Sequence, residues 1–92
     1  MTGVVLTAHV KDAAKWEKSF RTHADLFKRN NISLIHYTIT QNNDVVMYSE
    51  TDDVDAYRRF TQSPEVARTM EEDGVERDTV KMYPLEKDLI PS

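Results

Sequence analysis

Two periods of apolar residues alternate along this chain, and their succession predicts its elements. "GVVLTAHV", Gly3 to Val10, is a short β-branched apolar block that reads as a strand. Asp12 is suited to cap a helix, and from Ala13 to about Arg29 the period becomes helical. "RNN", Arg29 to Asn31, stops it, since Asn tolerates the left-handed conformation in which helices often finish. "ISLIHYTIT", Ile32 to Thr40, predicts a second strand, "QNND" a hairpin turn, and "VVMYSE", Val45 to Glu50, a third strand. "TDDVDAYRRF" opens a second helical region with its acids at the start, where the helix dipole favours them. "SPEVARTMEEDG" predicts a further helix, capped by Ser63, begun by Pro64 and closed by Gly74. "RDTVKMYPLE", Arg77 to Glu86, alternates like a last strand until Pro84 limits its pairing, and residues 86–92 read as a loose arm.

This order is a split βαβ arrangement. It predicts an α+β, ferredoxin-like domain with one antiparallel four-stranded sheet and helices on one face. In such a sheet the other face should be polar, yet here both faces carry apolar residues. Ile32 and Leu34 oppose Ile35, Tyr37 and Ile39, while Val45 and Met47 oppose Val46 and Tyr48. A second copy of the same sheet, related by a twofold axis, is the economical cover, so the pattern predicts a homodimer. Length agrees: 92 residues make one domain, and so short a chain buries only about 60–65% of its unfolded surface by itself.

With that order, the chain resembles the dimeric α/β-barrel superfamily, to which antibiotic-biosynthesis-monooxygenase-like and related stress-responsive small proteins belong. The residues that carry the resemblance are "VKDAAKWEKSFRTH", "SETDDVDAYRRFTQSPEVARTMEEDGV" and the closing "VKMYPLE". The resemblance covers nearly the whole chain. It implies two sheets joined into a barrel across the dimer, with any ligand cavity lying inside each subunit between sheet and helices. Some members oxidise aromatic substrates without metal or organic cofactor, others degrade haem, and many have no assigned activity. The Asn, Trp and His set of the haem-degrading members has no full match here, because Trp16 is on the first helix and no His lies on the later ones.

The residues with chemistry are few. Trp16, Phe20, His23 and Phe27 fall within roughly 60° of one another on the first helix, which puts an imidazole in an apolar stripe. Two readings stand: a core histidine bonded to a backbone carbonyl or a tyrosine, or a neutral imidazole lining a cavity, lowered in pKa by burial and able to act as base or donor. His36 and Tyr37 point to opposite faces of the second strand, so one of them could share a cavity with His23. Trp16, Phe20, Phe27, Tyr37 and Tyr57 are candidate ligand contacts if a cavity exists, and core fillers otherwise. His9 is the least constrained of the three histidines.

Composition removes several classes. Without cysteine there is no thiol chemistry, and the three histidines lack metal-ligand spacing, so no metal is expected. A net charge of −4 and a basic patch confined to an outer helix face argue against nucleic acid. No apolar run approaches the ~20 residues a bilayer span needs, so no membrane partner is expected and the default location is cytoplasmic. The expectations are therefore a small-molecule-binding dimer, a cofactor-independent monooxygenase acting on an electron-rich aromatic, or an interaction module with a solid core.

Overall fold

The computed structural model describes residues 1–85; the arm expected at 86–92 lies outside the described residues. Strands β1 (Thr2–Val10), β2 (Ile32–Ile39), β3 (Asp44–Thr51) and β4 (Val75–Pro84) form one antiparallel sheet in the order β2-β3-β1-β4. Helices α1 (Ala13–His23) and α2 (Asp25–Arg29) connect β1 to β2, and α3 (Val54–Thr61) and α4 (Pro64–Glu72) connect β3 to β4. Each connection passes over the strand that lies between its ends, which is the ferredoxin-like topology that the periods predict.

Local chemistry sets the boundaries. Asp12, Asp53 and Ser63 accept the amides of Lys15, Ala56 and Val66, so each caps its helix through a side-chain oxygen. Asn31 and Gly74 leave α2 and α4 at φ 60° and 77°, and Asn43 closes the hairpin at 63°. The helix expected to run unbroken from Ala13 to Arg29 is interrupted at Ala24. There the Phe27 amide bonds the Ala24 carbonyl three residues back (3.2 Å), and this tighter turn separates α1 from α2. The last strand starts two residues earlier than its alternation suggests, directly after Gly74.

Two bulges decide which side chains face the helices. In β2 the pairing passes from Leu34↔Ser49 to His36↔Tyr48, leaving Ile35 as an extra residue. Ile32 and Leu34 before the bulge and Tyr37 and Ile39 after it therefore all point to the helices, while His36 points away. The expectation that Ile35, Tyr37 and Ile39 share a face is corrected by that single insertion. In β4 the pairing with β1 jumps from Thr7↔Lys81 to His9↔Glu76, so residues 77–80 stand opposite Ala8 alone. Thr79 Oγ1 ties this wide bulge down, accepting the His9 amide at 2.8 Å and donating to the Glu76 carbonyl at 2.6 Å.

The core lies between the sheet and the helices. Val4, Leu6, Val10, Val45 and Met47 from the strands meet Trp16, Phe20, Leu26, Tyr57, Phe60 and Val66 from the helices, all of them buried. One polar pair is buried with them: Tyr57 Oη and Ser49 Oγ lie 2.8 Å apart and satisfy each other. On the open face of the sheet, Val46, Tyr83 and the bulged Ile35 remain exposed.

Candidate functional site

The core is not filled completely. A cavity of about 60 Å³ lies between the sheet and the helices, floored by Leu6, Ala8, Val45 and Met47 and walled by side chains from all four helices and β4. The wide bulge of β4 contributes to it, since Val80 and Ala8, which stand at the mismatch, both line the space. Sheet bulges often serve this purpose, re-aiming side chains beside a site. The cavity is smaller than the few hundred cubic ångströms usual for drug-sized ligands. At about 15 Å³ per water position it has room for roughly four waters.

One wall is aromatic. Trp16 and Phe20 stack with centroids 4.9 Å apart, Phe27 meets Phe20 at 5.7 Å, and Phe60 meets Phe27 edge-on at 5.2 Å. All four rings line the cavity, and His23 lines it with them. Tyr37 sits behind that wall, edge-on to Trp16 at 6.0 Å and to Phe20 at 5.0 Å, and supports the two rings without lining the space. Tyr57 is buried against Ser49 and likewise stays outside the lining; burial raises its phenol pKa, and the Ser49 hydrogen bond opposes that rise. The bulge at Ile35 turns His36 to the open face, so His36 and His23 are on opposite sides of the sheet and share no cavity.

The structure gives His23 a partner that neither sequence reading named. Its Nδ1 lies 3.1 and 3.4 Å from the two carboxylate oxygens of Asp73, and its Nε2 lies 3.8 Å from Glu72 Oε2. The Asp73 side chain is only 3% exposed, against 28% for His23 and 59% for Glu72. Burial raises the Asp73 pKa above the ordinary carboxylate value; the hydrogen bond and charge of His23 oppose the rise, and neighbouring Glu72 adds to it. With Asp73 ionised, Nδ1 carries the shared proton and donates it, which leaves Nε2 as the nitrogen able to accept one. A carboxylate that fixes an imidazole's orientation in this way is a recurrent arrangement for a general base.

Asp73 was legible in principle. "EEDG" places three acids at the end of α4, whose last turn holds no basic residue. The helix dipole disfavours anions there, so a carboxylate kept at that position has some other reason to be present. The third histidine makes a similar embrace on the open face: His9 Nδ1 lies 3.0 Å from Asp44 and its Nε2 3.5 Å from Glu76, joining three neighbouring strands. Among the described residues no three His, Asp or Glu side chains converge in a metal-binding arrangement.

Solved structures carry the same fold. The chain is similar to a NIPSNAP family protein of unknown function from Agrobacterium tumefaciens (15% identity, 92% of this chain and 86% of that chain, TM-score 0.68). It is similar to a candidate antibiotic biosynthesis monooxygenase from Caulobacter crescentus (19% identity, 96% and 90%, TM-score 0.65). Another candidate monooxygenase of that kind, from Deinococcus radiodurans, matches at 14% identity over 100% and 97%, with a TM-score of 0.62. No family profile and no curated protein matches the chain. The likeness is one of fold: this is the ferredoxin-like fold that antibiotic-biosynthesis-monooxygenase-like and NIPSNAP proteins share, as the sequence resemblance implies.

Proposed function

We propose that this chain is a small-molecule-binding protein whose site is the cavity beside His23 and whose open sheet face is covered by a second copy. The observation that carries the first half is the His23–Asp73 couple at the edge of an otherwise apolar space. A solid core has no use for a buried carboxylate, because leaving it there costs solvation that an apolar residue would not. The cavity is small, but Met70 lines it, and its unbranched side chain can yield to a larger occupant. The apolar residues left exposed on the open face, Val46 and Tyr83 among them, support the second copy. Titrating small apolar compounds against the fluorescence of Trp16, the single tryptophan, tests the binding reading. Absence of any saturable change, in this protein and in a Met70→Ala variant, overturns it.

One observation favours a catalytic extension. With Nδ1 bonded to Asp73, Nε2 is the nitrogen left to take a proton from a ligand hydroxyl, and a deprotonated electron-rich aromatic can pass electrons to dioxygen by itself. The candidate monooxygenases of the same fold point the same way. Oxygen uptake with phenolic substrates measures it. Uptake that survives His23→Phe unchanged removes His23 from the chemistry.

A further inference from the structure

We infer that the cavity takes a small organic cation: an ammonium group on a few carbons, held by the Asp73 carboxylate against the aromatic wall. The inference rests on the binding reading above and names the class of its ligand. Charge is the first argument. Among the described residues no Lys or Arg lines the cavity, and Asp73, 3% exposed, is the one acid that does. A carboxylate or phosphate ligand would meet only His23, whose Nδ1 is already bonded to Asp73, whereas an ammonium meets the carboxylate itself.

Unused hydrogen-bonding capacity is the second. An ionised carboxylate can accept about four hydrogen bonds. Among the described residues His23 Nδ1 alone reaches the Asp73 side chain, at 3.1 and 3.4 Å. An ammonium brings up to three more donors. Position adds to this: Asp73 is the C-cap of α4, where the helix's terminal carbonyls favour positive charge, and Glu72 stands next to it. The rings of Trp16, Phe20, Phe27 and Phe60 make one wall of the space, and a ring face turned to a cation attracts it. Size sets the head group. Room for roughly four waters is room for about four heavy atoms, so any larger part of the ligand would extend beyond the cavity or displace Met70.

Three compounds of four heavy atoms each separate the possibilities: isopropylammonium, propan-2-ol and acetate. Each is titrated at pH 8, above the ordinary range of imidazole protonation, while the Trp16 indole N–H resonance is followed. The expected result is saturation by isopropylammonium at a concentration at least tenfold below that for propan-2-ol, and none by acetate. Asp73→Asn should erase the tenfold advantage and leave the alcohol's affinity as it was. If Asp73→Asn does not fold, the amine-to-alcohol ratio in the unaltered protein decides alone. Equal affinity for amine and alcohol, or saturation by the carboxylate, overturns the cationic ligand while leaving the binding reading in place. If none of the three saturates, here or in Met70→Ala, both are overturned.

Discussion

The two faces of the sheet are made by the same strands and nearly the same residue types, yet they end differently. On one face Val4, Leu6, Val45 and Met47 are all 6% exposed or less. On the other, one residue along each strand, Val46 is 37% exposed, and Tyr83 and the bulged Ile35 about half. Alternation can show that a position is apolar; it cannot show what covers it. The helices cover one face because Trp16, Phe20, Tyr57 and Phe60 recur at helical spacing and point inward. Among the described residues no element lies over the open face. Its order comes instead from contacts within the sheet: His9 between Asp44 and Glu76, and the Tyr48 ring lying across Gly3.

The largest test of this contrast is a matched pair of truncations. Phe20→Ala, on the covered face, should destabilise the chain by about 3–5 kcal/mol in urea denaturation, through lost burial and the cavity it enlarges. Tyr83→Ala, on the open face, should cost under about 1 kcal/mol for an isolated chain. Similar losses at the two sites would mean that the open face is covered as firmly as the other. Gly3→Ala comes next. A methyl group there would lie 2.6 Å from the Tyr48 hydroxyl and 3.0 Å from its ring, so the ring must swing aside on the open face. A loss of about 1 kcal/mol or less is expected, because the displaced group is a side-chain tip and not a packed core. Combined with Tyr48→Ala, the two changes should cost less than their sum; strict additivity would show that the ring does not rest on Gly3.

How much of this was readable follows the distance over which each feature is decided. Caps and turns are local, and Asp12, Ser63 with Pro64, Asn31 and Gly74 mark the ends they were expected to mark. The fold class follows from the order of periods. Register is decided by a partner strand: nothing in "SLIHYT" says that Ile35 is skipped, so the sequence alone does not choose between His36 and Tyr37. The Ala24 break is likewise a matter of one hydrogen bond. His23 was identifiable as an anomaly in an apolar stripe, but its partner comes from 50 residues later. Only the misplaced acids of "EEDG" hinted at it.

The covered face also carries a pH dependence, through Asp73. The folded-state pKa of Asp73 is raised, so its protonated form is the one folding prefers. Its contribution to stability is then fully present below the ordinary carboxylate range and is lost as pH rises through the raised value. Asp73→Asn, which cannot ionise, should gain on the unaltered protein over that window in urea denaturation from pH 3 to 7. A difference that stays constant with pH would place the Asp73 carboxyl in a more solvated setting than its 3% exposure indicates.

The smallest expected effect on the chain itself is the most informative about the open face. Val46 neighbours Val45, one on each side of the sheet, at 37% and 2% exposure. Val46→Lys places an ammonium where solvent already reaches, so the stability of an isolated chain should change by no more than about 0.5 kcal/mol. If a second copy sits on this face, the same change puts like charges from both copies into one interface, and desolvating them opposes association. Sedimentation at micromolar concentration should then find twice the chain mass for the unaltered protein and the single-chain mass for Val46→Lys. A single-chain mass for both would mean that the apolar residues of this face are solvated singly, as scattered surface residues commonly are. The unequal exposure of the two faces would then be a finished state of the molecule.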